Sequence, residues 1–167
     1  MKKFLLSSVL TVLNKSKNMK LMLVCTSGGH FATMKSLKSF WSMHERVWVS
    51  DYKRDTEILE KNERVHWLPY QAPRDWLALI RNIPQTVKIL RQERPNIILS
   101  TGASIAINFA FIAKLLGIRF IYIESISRAE ELSISGKLIY SVCDEFYVQW
   151  PQLCKKYPKA IFKGYAS

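Results

Sequence analysis

The chain has 167 residues, 49% hydrophobic and 23% charged, which fits one globular domain with a full core and excludes a disordered chain. Its 25 Lys and Arg against 13 Asp and Glu give a formal charge of +12, favouring anionic partners: nucleic acid, acidic lipid headgroups or phosphorylated substrates. The cysteines, Cys25, Cys143 and Cys154, are odd in number and widely spaced, so neither a disulfide framework nor a metal site is indicated, and a reducing compartment fits them.

In chain order, Lys2-Lys3 and the apolar stretch 4–13 imitate a signal peptide, but no A-x-A-like site follows and the stretch is too short to span a bilayer. Residues 1–18 therefore read as an N-terminal extension or an interfacial membrane segment, ahead of a domain over 19–167. From Met19 onward apolar strand-like runs alternate with amphipathic helical ones. Strands are predicted near 21–25, 46–49, 65–68, 97–99, 120–123 and 146–148, and helices near 31–40, 56–61, 76–93, 105–116 and 135–142. Gly117 is placed to end the fourth helix in a left-handed cap. The alternation calls for an α/β fold: a Rossmann-like, open, mostly parallel sheet with helices on both faces.

The helical stretch 76–93 carries Trp76, Leu79, Ile80, Ile83, Val87 and Leu90 on one face and Arg81 and Lys88, in heptad spacing with Arg74, on the other. Pro84 should kink or restart it, with Asn82 as a candidate cap. The apolar stripe either faces the core or, over Trp76, Leu79 and Ile80, meets a membrane interface.

Ligands of open parallel sheets bind beyond the carboxyl ends of the strands, so the turns after strands matter most. Three stand out: Ser27-Gly28-Gly29-His30, Thr101-Gly102-Ala103-Ser104 and Glu124-Ser125-Ile126-Ser127-Arg128. The first, a strand running through small residues into a helix, would offer free backbone N–H groups to an anion.

Five separated blocks carry a family pattern: 26–30, 100–103, Glu124-Ser125 with Arg128, 132–138 with Tyr140, and 148–151. Together they resemble the bacterial polysaccharide-biosynthesis subunits of PssD/CpsF type, relatives of the membrane-anchoring subunit of the eukaryotic dolichol-pathway UDP-N-acetylglucosamine transferase. The resemblance implies the N-terminal half of a MurG-like GT-B glycosyltransferase. It implies a subunit inactive or nearly so alone, which binds a polyprenyl-diphosphate-linked acceptor at the cytoplasmic face of the membrane as a peripheral protein. A partner chain would hold the UDP-sugar donor, with no permanently bound cofactor.

Such a transfer needs a base near the acceptor hydroxyl and positive or N–H-donating groups for diphosphate. His30 and Glu124 are the catalytic candidates; the alternatives are a hydrogen-bonded structural His30 and a Glu124 paired with Arg128. Ser27, Gly28, Gly29, Thr101, Gly102, Ser104, Ser125 and Arg128 are the substrate-binding candidates, Arg128 by forking onto phosphate oxygens. Trp150, Phe162 and Tyr165, near the chain end, are candidates for the partner interface by the same resemblance. A self-contained nucleotide- or phosphate-binding enzyme is a weaker alternative, since the chain lacks both G-x-x-x-x-G-K-[ST] and G-x-G-x-x-G. A basic nucleic-acid-binding module is weaker too, for want of an aromatic-basic motif, and no nucleic-acid partner is expected.

Overall fold

Near-continuous apolar runs such as Leu21-Met22-Leu23-Val24 bury side chains on both faces of a strand, and such strands are stable only inside a sheet covered on both sides. A computed structural model describes residues 19–72 and 74–166, so the extension expected over 1–18 lies outside the described residues. Seven strands, β1 (Lys20–Val24), β2 (Glu45–Asp51), β3 (Val65–Leu68), β4 (Ile97–Ser100), β5 (Arg119–Ile123), β6 (Glu145–Val148) and β7 (Ala160–Phe162), form one sheet in the order β3-β2-β1-β4-β5-β6-β7. Every pair is parallel. The order reverses between β1 and β4, where the loops diverge and leave a crevice.

Side chains alternate between two cores. Met22, Val24, Val47 and Ile98 face one layer with Leu90, Phe109 and Ile139, whereas Leu21, Leu23, Trp48 and Leu99 face another with Phe31, Met34 and Trp41. The covering helices are α1 (Gly29–Ser36), α2 (Lys38–Trp41), α3 (Leu59–Asn62), α4 (Trp76–Arg81), α5 (Ile83–Glu93), α6 (Ile105–Leu116), α7 (Ile134–Ile139) and α8 (Leu153–Lys156). Helix α6 runs where the sequence predicts it and ends in left-handed Gly117.

The departures have local causes. The helix expected over 31–40 divides at Leu37, and that over 76–93 divides at Asn82, because Pro84 has no N–H to continue the hydrogen-bond ladder. Asn82 takes the cap position without a side-chain cap bond; its carbonyl instead accepts from the Thr86 N–H at 3.0 Å and the Thr86 hydroxyl at 2.9 Å. The split rotates the two helices out of one stripe. Helix α5 buries Thr86, Ile89, Leu90 and Glu93, whereas α4 buries no residue, and Trp76, Leu77 and Ile80 stand 50%, 75% and 62% exposed. A core-facing role for the whole stripe is thus corrected. Strand β7 and helix α8 are additions to the predicted elements.

At the amino end of the sheet, away from the crevice, the buried Glu93 carboxylate closes α5 onto β1 and β3. It receives Lys20 Nζ at 2.9 Å, Arg64 Nη2 at 2.8 Å and His66 Nε2 at 2.6 Å. Burial opposes its ionisation, but the hydrogen bonds from Lys20 and His66, with the charges of Lys20 and Arg64, prevail and hold its pKa below the ordinary carboxylate value. A carboxyl depressed in the folded state stabilises above its unfolded pKa of about 4.3, and that stability is lost as pH falls through the lower folded value. Urea midpoints followed from neutral pH down to about pH 3 should therefore show less acid loss for Glu93→Gln than for the wild type, from a lower neutral starting stability; parallel profiles would refute this assignment.

Candidate functional site

The turns after β1 and β4 lock to each other through one histidine. His30, in the first turn of α1, donates from Nδ1 to the Thr101 carbonyl at 2.6 Å, and the Thr101 hydroxyl donates to the His30 carbonyl at 2.7 Å. A carbonyl only accepts, so Nδ1 carries the proton, and in the neutral ring Nε2 keeps its lone pair with no partner among the described residues. Gly102 makes this packing possible. A Cβ there would lie 2.6 Å from His30 Cε1, and its φ of +111° favours glycine.

The β1 turn does not present the open anion cradle that its glycines imply. The Ser27 N–H donates to Asp51 Oδ1 at 2.6 Å, the Ser27 hydroxyl to Asp51 Oδ2 at 3.0 Å and the Gly28 N–H to Asp55 Oδ2 at 2.7 Å. These donors are occupied, and two carboxylates beside the turn repel a phosphate. Gly28 and Gly29 are exposed.

On the far side of the crevice Glu124, at the end of β5, is wholly buried. Its Oε1 accepts from the Ser125 N–H at 2.8 Å, and its Oε2 from the Ser133 N–H and hydroxyl, each at 3.0 Å. Ser133 Oγ in turn caps α7 by accepting from the Gly136 N–H at 2.9 Å. The pairing with Arg128 that the spacing offers does not form. Arg128 is exposed and makes no ion pair among the described residues.

A cavity of about 670 Å³ lies between these walls. His30, Ser27, Ser104, Glu124, Ser125 and Arg128 line it, whereas buried Thr101 and Gly102 and exposed Gly28 and Gly29 are not part of its lining. Trp76 and Leu79 reach the same wall; Ile80 faces outward beside them. Trp150, Phe162 and Tyr165 sit elsewhere, half-buried near β7, as a chain of edge-on rings with centroids 5.6 Å and 5.9 Å apart. Trp150 Nε1 donates to the Ile126 carbonyl at 2.6 Å, joining that cluster to the loop after β5.

The lining extends beyond the sequence-derived set, and Tyr70, Gln71, Arg74 and Tyr122 are among the additions. The first three follow β3, so the rule applied to the other carboxyl-end turns would have reached them. Burial, then the nearby Glu124 carboxylate, pushes the Tyr122 phenol well above its ordinary pKa and keeps it neutral. Burial likewise pushes the Cys25 thiol far up, with Asp51 and Asp55 adding to it, which makes it an inert core residue. Among the described residues no cluster of His, Cys, Asp and Glu could hold a metal ion.

The family model described as "Oligosaccharide biosynthesis protein Alg14 like" matches residues 70–166. The chain is 32% identical to the UDP-N-acetylglucosamine transferase subunit ALG14 of Yarrowia lipolytica, over 90% of this chain and 82% of that protein. It is 26% identical to the subunit of the same name from Rattus norvegicus, over 89% and 83%. Among solved structures the fold is shared with MurG of Acinetobacter baumannii (TM-score 0.64, 15% identity, 80% of this chain and 42% of that one). It is shared as well with the UDP-N-acetylglucosamine 2-epimerase of Rickettsia bellii (TM-score 0.70, 15% identity, 89% and 45%). The chain thus spans less than half the length of these structural neighbours.

The Glu124 anchor makes a specific demand on Gly136, where an added Cβ would stand 2.0 Å from Glu124 Oε2 and 3.0 Å from Ser133 Oγ. Gly136→Ala is expected to cost about 2–3 kcal/mol, read as a lowered urea midpoint. Gly29→Ala, where nothing lies within 4 Å, is the control and should shift stability by no more than about 0.5 kcal/mol. Equal midpoints for the two variants would show that the carboxylate moves aside freely.

Proposed function

The chain belongs to the Alg14-like family of oligosaccharide biosynthesis proteins, and from that membership we propose that it is the acceptor-binding subunit of a two-chain UDP-sugar glycosyltransferase. The observation that carries this reading is His30: a buried carbonyl fixes its Nδ1–H and leaves Nε2 open at the cleft where the strand order reverses. That nitrogen is the base for an acceptor hydroxyl. Transfer then proceeds by attack of the hydroxyl oxygen on the sugar's anomeric carbon, the proton passing to His30 as the bond to UDP breaks.

Arg128 has no carboxylate partner among the described residues and stands at the mouth with Arg74, so the two guanidinium groups take a diphosphate. Glu124 acts through the loop, holding Ser125 and Arg128 in position. The acceptor is a polyprenyl-diphosphate-linked sugar whose lipid lies along α4, with Trp76, Leu79 and Ile80 at the interface of the cytoplasmic leaflet. No helix among the described residues is long and apolar enough to cross a membrane, and an exposed apolar helix flanked by Arg74 and Arg81 suits peripheral contact with anionic lipid. The donor-binding partner docks on the ring cluster of Trp150, Phe162 and Tyr165, beside the open edge of β7. Residues 19–167 form this acceptor domain, and the segment over 1–18 adds a second interfacial contact.

Reconstitution with a separate donor-binding glycosyltransferase chain tests the reading. UDP-sugar transfer to an isoprenyl-diphosphate sugar should require both chains, and His30→Ala should lower it about 10²-fold or more with co-purification intact. Turnover of a nucleotide substrate by this chain alone would overturn it in favour of the self-contained enzyme. The lipid contact has a separate readout: Trp76→Asp with Ile80→Asp should reduce flotation with anionic vesicles about tenfold while leaving the unfolding midpoint within about 0.5 kcal/mol of wild type.

A further inference from the structure

Gln71 is 3% exposed and forms part of the cleft wall, yet its amide oxygen is sealed from water without a donor. Its amide nitrogen meets no acceptor among the described residues either. Its main chain, in contrast, is fixed: the Ser104 hydroxyl, at the start of α6, donates to the Gln71 carbonyl at 3.0 Å. A buried amide oxygen without a donor is costly, and native proteins leave such groups unmet mainly where something else completes them.

A primary amide offers one acceptor and two donors side by side, and a half-turn about its last bond exchanges the two ends. The group that satisfies it best both gives and takes a hydrogen bond. Besides Gln71 the cavity is lined by further polar groups, the Tyr122 phenol, the Ser104 hydroxyl, the His30 ring and the Glu124 carboxylate. The arginines stand on exposed positions of the same cavity. Polar groups within, the loop-bonded Glu124 carboxylate among them, and arginines at the rim match a sugar ring inside and a phosphate outside.

We infer that Gln71 is the residue that reads the acceptor's sugar, hydrogen bonding through its side-chain amide to a ring substituent that both donates and accepts, a hydroxyl or an acetamido group. This rests on the acceptor-binding reading above and adds to it a specificity-determining contact after β3.

The full chain in detergent micelles can be titrated with three probes: a short-chain isoprenyl diphosphate, the same lipid carrying glucose, and the same lipid carrying N-acetylglucosamine. The wild type should bind at least one glycosylated probe about tenfold more tightly than the bare lipid diphosphate, the worth of one well-made hydrogen bond. Gln71→Ala, and Gln71→Met of similar volume, should reduce that preference to about twofold or less and leave affinity for the bare lipid diphosphate unchanged. A preference for both sugars identifies a hydroxyl as the contact, and one for N-acetylglucosamine alone identifies the acetamido group; either supports the inference. A sugar preference that persists in both variants, or its lack in the wild type, overturns it. Failure of the bare lipid diphosphate to bind, with a Gln71-dependent sugar preference still present, counts against the lipid-diphosphate reading alone.

Discussion

The buried carboxylate of Glu124 is the constraint on which the candidate site depends. A loop that leaves the carboxyl end of a central parallel strand exposes backbone donors that the sheet no longer satisfies, and Glu124 gathers two of them, from Ser125 and Ser133, together with the Ser133 hydroxyl. Its main-chain carbonyl accepts from Gln149 Nε2 at 2.9 Å, and Gln149 Oε1 accepts from the Ala166 N–H at 2.8 Å. One residue thereby joins the end of β5, the start of α7, the end of β6 and the chain after β7. Three hydrogen bonds to one carboxylate offset the cost of burying it, which is why a charged group can sit in this position. The same three bonds tie the carboxylate to the loop and to the start of α7, which suits it to holding the loop in place.

The two walls of the cleft divide the electrostatic work. Asp51 and Asp55 occupy N–H groups of the β1 turn and keep anions from it, whereas Arg74 and Arg128 carry positive charge with no ion-pair partner among the described residues. An anionic ligand is therefore drawn toward the rim. His30 stands between, oriented by a carbonyl instead of a carboxylate. That choice fixes the tautomer without adding negative charge beside the ring.

Much of this was legible in the sequence, for identifiable reasons. Helix α6 announced itself through a twelve-residue, mostly apolar run ended by glycine, and the parallel sheet through strands apolar on both faces. The convergence of His30, Ser104 and Glu124 on one edge followed from a topological rule alone. Partner assignments did not follow. Nothing in a helical i, i+4 spacing reveals that Glu124 bonds to Ser133, nine residues on, instead of Arg128, because a non-helical loop takes the chain away from the expected register. Two glycines likewise predict a turn but not that neighbouring carboxylates occupy its donors. Strand β7 has three residues between aromatic positions, too short for period-two alternation to register.

Helix α4 shows how a short apolar helix can remain uncovered without detaching. Asp75 Oδ1 caps it through the Ala78 N–H at 2.9 Å, and Asn108 Nδ2 from α6 donates to the Leu79 carbonyl at 2.7 Å. These polar contacts fix its main chain while Leu79 packs against the core, so Trp76, Leu77 and Ile80 need not turn inward to keep it in place. Its orientation has a further consequence, since Trp76 and Leu79 line the cleft that Gln71 and His30 line from within. A ligand with a polar head and a long apolar tail can then satisfy both surfaces at once, head in the cleft and tail along the helix. The same helix would orient the cleft toward any apolar phase it touches. For such a ligand, contact with a surface and entry of its head into the cleft would be one geometric event.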